Sequence, residues 1–183
     1  GLEGELVNMI IECCIQERTY LKFYGLLSER LCVIDDVYKR SYEAQFEIQY
    51  NKIHRLDSKK LRNLANLYAH LLYTEVIDWS ILKIIKLTEE DTTASSRIFI
   101  KIIFQELNNL LGENKLKEKL WVGANDDYIG MFCRDNPKNT RFCINFFTAI
   151  GLGYLTANLR DFLENIRIIF SEKENNQTEN KQI

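Results

Sequence analysis

The chain has 183 residues, 46% of them hydrophobic and 27% charged, with a formal net charge of -2. That length suits one domain, whose folding would bury about 70% of the surface its unfolded chain exposes. Such a composition is that of an ordinary soluble domain: its apolar runs are broken by Lys, Glu or Asn before a bilayer could be spanned, and its net charge supplies no global pull toward nucleic acid.

The opening GLEGELVNMI has no cationic region ahead of an apolar stretch, so it does not read as a secretory signal. Residues 1–4 read as a leader to a domain excised from a longer protein. From there apolar residues recur at intervals of three and four rather than two, with a single proline and eight glycines to interrupt them. This pattern predicts an all-α fold.

In the first helix Leu6, Ile10, Cys13 and Cys14 share one face; in TYLKFYGLLSERLCVI the residues Tyr20, Phe23, Tyr24, Leu27, Leu31 and Ile34 share another. The two helices should pack as a hairpin. Asp35 and Asp36 then open a third helix, where the macrodipole favours acids. This helix carries Tyr38, Tyr42, Phe46 and Tyr50 at steps of four. Such a ladder could stack nucleobases, but a stripe of this period in a folded domain is more often buried against a neighbouring helix.

RLDSKKLRNLANLYAHLLYTE follows, with Asp57 or Ser58 as the cap and Leu61, Leu64, Ala65, Tyr68, Leu71 and Leu72 as its apolar stripe. Arg55, Lys59, Lys60 and Arg62 form the densest basic cluster of the chain. They sit at a helix start, which the dipole does not favour for cations. That placement invites an acidic partner, against the simpler reading of a solvated face.

WSILKIIKL predicts a shorter helix, and TEEDTT the acidic entry to a long central helix, SSRIFIKIIFQELNNLLG. RIFIKIIF alone could form a strand, but the segment runs on without turn residues beyond strand length. Arg97, Lys101, Gln105 and Asn108 share its polar face, while Phe99, Ile100, Ile103, Leu107, Leu110 and Leu111 fill the rest. Residues 112–136 read as short helices and loops. Asn136 caps a helix whose first residue is Pro137, where a missing N–H costs nothing. Phe142, Cys143, Phe146, Phe147 and Ile150 face inward, Lys138, Arg141, Asn145 and Thr148 outward, and Gly151 or Gly153 ends the helix. A last helix turns Leu159, Phe162, Leu163 and Ile166 inward. Residues 169–183, with almost no apolar groups, read as a disordered tail or linker.

No catalytic set is legible: the chain has no Gly-rich phosphate loop, no G-x-S-x-G and no H-E-x-x-H. Cys13, Cys14, Cys32, Cys133 and Cys143 lie among apolar neighbours and read as reduced core residues. They form no C-x-x-C pair, and only His54 and His70 could add nitrogen ligands, so neither a metal nor a cofactor is expected. His70 reads as a surface or hydrogen-bonded histidine, on a polar side with Asn63 and Asn66.

Three stretches, IHRLDSKKLRNLANLYAHLLYTE, TTASSRIFIKIIFQEL and RDNPKNTRFCINFFTAIGLGYLTANLRDFL, together with ECCIQERTYLKFYGLLSERLC, resemble the C-terminal MA-three domain of the nucampholin family of spliceosomal proteins. The resemblance covers roughly residues 5–168. It implies a HEAT-like stack of antiparallel helix pairs, a nuclear protein and a non-enzymatic scaffold in pre-mRNA splicing that docks on core spliceosomal proteins. In that family an exon-junction DEAD-box helicase is held by a separate domain, similar to part of initiation factor four-G, which is absent from this chain. WVGANDDYIGMFC departs from the family pattern, which puts partners at that edge in doubt. The expected docking residues are Arg55, Lys59, Lys60, Arg62, Arg97, Lys101, Lys138 and Arg141. The alternatives are RNA binding through the same cations, and direct regulation of a DEAD-box translation helicase.

Overall fold

A computed structural model describes residues 1–121 and 130–179, with side chains through residue 168. Its α-helices are α1 (Glu3–Gln16), α2 (Lys22–Ile34), α3 (Asp36–Asn51), α4 (Ser58–Tyr73), α5 (Ala94–Leu111), α6 (Glu113–Trp121), α7 (Pro137–Ala149) and α8 (Ala157–Glu179). Short 3-10 turns occur at Ile53–Arg55, Trp79–Ile84 and Gly153–Thr156. The all-α, HEAT-like expectation holds, and the strand alternative for RIFIKIIF is excluded by α5.

Several helix ends follow from bonds made within three residues. Asp35 Oδ1 accepts from the Val37 N–H at 2.9 Å, so one aspartate separates α2 from α3. Asp57, rather than Ser58, caps α4. Thr93 and Ser96 form a reciprocal capping box at α5. Asn136 Oδ1 accepts from the Asn139 N–H at 2.8 Å, ahead of Pro137 at the first helical position of α7. Gly151, at φ +83°, takes the left-handed conformation just past the end of α7. The short helix expected at WSILKIIKL is of the 3-10 type, over Trp79–Ile84; Asp78 caps it, and the Trp79 indole N–H donates to the Leu72 carbonyl.

The core is one continuous cluster from Val7 to Leu159. Its densest packing joins α4 to α5. Phe46 meets Tyr68 edge-on at 4.9 Å and Phe99 at 6.1 Å between centroids. Further along, Phe147 touches both Phe104 and Phe132, at 5.5 and 5.2 Å. Tyr42 and Phe46 are fully buried, and Tyr42 donates its hydroxyl to Ser28 Oγ. In the aromatic ladder of α3, Tyr42 and Phe46 are therefore core, and Tyr38 and Tyr50 pack half-buried against it.

Three details of the expected faces differ. In α1 the inward side is Val7, Ile10, Ile11, Cys14 and Ile15, while Cys13 is exposed and Leu6 partly so. In α2 the buried residues are the small ones, Gly25, Ser28 and Cys32, and Phe23 and Ile34 face solvent. Helix α2 approaches α4 so closely that a Cβ at Gly25 would lie 2.8 Å from His70 Cγ, which leaves no room for a large side chain in that stripe. Asn63, placed by spacing on the polar side of α4, is buried.

Helical backbone also exceeds the expected limits at both ends. It begins at Glu3, inside the stretch read as a leader, and continues past 168 to Glu179. Glu, Lys and Gln of the last segment are good helix formers, and extending an existing helix avoids the cost of nucleation. Residues 122–129 of WVGANDDYIGMFC and residues 180–183 lie outside the described residues.

Candidate protein-docking surface

Local side-chain bonds fix the α4 N-terminus. Asp57 Oδ1 accepts from the backbone N–H groups of Lys59 and Lys60, each at 2.9 Å, and these bonds hold its carboxyl below the ordinary carboxylate range. With the first turn fixed, Ser58, Lys59, Arg62 and Asn63 lie along one side of the helix. The α1–α2 connection packs against that side. Asn63 Nδ2 donates to the Glu17 carbonyl at 2.9 Å and to the Cys14 carbonyl at 3.2 Å, the latter also accepting the Glu17 N–H, and so ties down the end of α1.

Between them lies an open cleft of about 380 Å³, lined by Arg18, Thr19, Tyr20, Ser58, Lys59, Arg62 and Asn63. Arg18, Lys59 and Arg62 are exposed, and among the described residues none forms an ion pair with a carboxylate. Two of the four residues in the predicted basic cluster thus meet in one place. Arg55, on the Ile53–Arg55 turn, is exposed, and Lys60 half-buried; neither lines the cleft. Arg18 was missed by sequence reasoning. The polar break QERTY marks a connection between helices, but nothing local says which helix that connection packs against.

The cations of the second half divide differently. Arg97 is turned into the fold. Its Nε donates to Thr92 Oγ1 at 2.8 Å, its Nη2 to the carbonyls of Glu89 and Thr92 at 3.2 Å each, and its guanidinium lies 5.1 Å from the Phe142 ring centroid. Gln105 and Asn108, on the same side of α5, bond to the Ile150 carbonyl and the Tyr154 hydroxyl. This polar face of α5 is a seam against the C-terminal part of the fold. Lys101 on it is exposed.

Lys138 is exposed, but its ammonium is 3.3 Å from Glu89 and 3.9 Å from Glu90. The acids of TEEDTT thus lie ahead of α5, in a turn that answers Lys138. Arg141, one helical turn further along α7, is exposed.

Apolar groups accompany the basic cleft. Arg18 is followed along the chain by exposed Leu21 and Phe23, 44% and 62% accessible. Leu26, Val33 and Ile34 of α2 are also exposed, and Leu2 with Leu6 and Met9 of α1 line a shallow groove with Tyr38. His70 is nearly enclosed, with Nε2 2.8 Å from Glu29 Oε2. Among the described residues no three His, Cys, Asp or Glu side chains gather as a metal site, and no helix is long and apolar enough to cross a membrane.

Residues 1–78 of this helical stack match the model of the MA3 domain. The similarity to known proteins runs further than this match. The chain is 54% identical over 162 residues, 88% of its length, to the pre-mRNA-splicing factor CWC22 homolog of Danio rerio. It is 53% identical over 171 residues, 92% of its length, to the homolog of Homo sapiens. Identity is 50% over 167 residues, 91% of the chain, to pre-mRNA-splicing factor cwc22 of Emericella nidulans. The chain spans between 16% and 19% of the length of these three relatives.

Proposed function

We propose that this chain is a non-enzymatic protein-interaction domain of a pre-mRNA splicing factor, acting in the nucleus by docking on core spliceosomal proteins. The observation that carries the reading is identity of 50–54% across most of the chain with proteins named as pre-mRNA-splicing factors. The surface supports it: Arg18 of the unpaired cations is followed in the chain by exposed Leu21 and Phe23, and a surface that offers both apolar and charged groups suits a protein partner. Delivery of an exon-junction DEAD-box helicase is assigned to a separate domain of the longer protein, with this domain holding the whole on the spliceosome.

Cross-linking mass spectrometry of the full-length protein in assembled spliceosomes tests the reading. Cross-links from Lys59, Lys60 or Lys101 to spliceosomal proteins are expected. Cross-links confined to a helicase would replace docking with direct helicase regulation.

A further inference from the structure

We propose that the cleft between the α1–α2 connection and the first turn of α4 binds an acidic peptide segment of a partner protein, held by Arg18, Lys59 and Arg62. The proposal rests on the docking reading above and specifies its chemistry. Three cations from two separate elements face one cleft of about 380 Å³, all exposed, with no carboxylate of the described chain in ion-pair contact with them. Gathering like charges at a helix N-terminus works against the macrodipole, so the arrangement is relieved by an external anion.

The shape favours a peptide over a nucleic acid. Thr19, Ser58 and Asn63 supply short polar groups around the cleft, beside the longer Lys59 and Arg62 that also line it. Exposed Leu21 and Phe23 continue from Arg18, offering contact to apolar side chains next to the acids of a bound segment. Phosphate binding by a nucleic acid draws on a longer track of cations, whereas here Asp57 stands exposed in the same turn as Lys59 and the chain as a whole carries a charge of -2.

The test uses the full chain and two fluorescein-labelled probes, a peptide alternating Glu with Leu and single-stranded oligouridine, read by anisotropy at low and physiological salt. The peptide should bind, and the triple variant Arg18→Glu, Lys59→Glu, Arg62→Glu should lose about tenfold or more in affinity, as expected when attractive charges become repulsive. Reversal of Lys101 and Arg141 should leave binding unchanged. The single Arg18→Ala variant, with thermal unfolding followed by circular dichroism, separates loss of binding from loss of fold. Three results overturn the proposal: no binding of the peptide, binding that survives the triple reversal, or binding of oligouridine in preference to the peptide. A parallel capture of spliceosomal proteins from nuclear extract reads the wider claim. Equal capture by wild type and triple variant leaves docking standing and removes this cleft from it; no capture by the wild type removes docking itself.

Discussion

Asn63 of α4 donates its side-chain amide to the Glu17 carbonyl at 2.9 Å, so that a buried polar residue of the fourth helix closes the end of the first. The same bond seats the connection that carries Arg18 against the turn that carries Lys59 and Arg62. Asn63→Ala leaves the carbonyls of Cys14 and Glu17 without this donor in a largely buried place, a loss of about 1–3 kcal/mol. Urea unfolding should show it as a lower midpoint at unchanged slope, and the same variant should weaken acidic-peptide binding although Asn63 carries no charge.

Gly25 marks the closest approach of α2 to its neighbours. A methyl group there would lie 2.5 Å from the Tyr20 hydroxyl and 2.8 Å from His70 Cγ. Gly25→Ala gains helix propensity but forces these rings aside, and overpacking of about 1–3 kcal/mol outweighs the gain. A fall in melting temperature is expected; a rise would show that α2 slides outward at little cost.

Arg97 and Lys138 both reach the turn before α5, with different consequences. The Arg97 guanidinium makes three hydrogen bonds and lies over Phe142, so Arg97→Ala should destabilise by about 2 kcal/mol. Lys138 pairs with Glu89 and Glu90 in solvent, and Lys138→Ala should cost under about 1 kcal/mol and less still at high salt. Paired thermal melts at two salt concentrations distinguish the two.

Thiol reactivity should separate the five cysteines. Cys13 is exposed, while Cys14, Cys32, Cys133 and Cys143 are buried. Burial pushes the Cys14 thiol up to about 12 and Cys32 to about 11. Cys143 is raised by its hydrogen bond to Cys133 and by burial, and the same bond lowers Cys133. Under native conditions an aromatic disulfide reagent should titrate one thiol rapidly, and Cys13→Ser should abolish that phase. All five should react in denaturant.

Legibility followed the range of the interactions. The inward stripe of α4, the ladder of α3 and the helical reading of RIFIKIIFQEL were visible in spacing because one helix face is enough to define them. The polar face of α5 was visible as a face, but its use was not: Arg97, Gln105 and Asn108 find their partners in the 88–92 turn, at Ile150 and at Tyr154, and no spacing states that. For the candidate site, Lys59 and Arg62 stood out by local density of charge. Arg18, isolated in sequence, did not.

What the sequence by itself determined is most of the helices and several of their ends, because Asp35, Asp57, Asn136 and Gly151 act on backbone groups a few residues away. Tertiary structure alone decided which polar groups are spent inside and which remain for a partner. Helix α2 turns its small residues inward and its larger apolar ones outward because Tyr20 and His70 occupy the space beside Gly25. Arg18 joins Lys59 and Arg62 because Asn63 holds the end of α1 against α4. A residue's burial and its charge partners depend on what the opposing element presents, and that information lies many residues away along the chain.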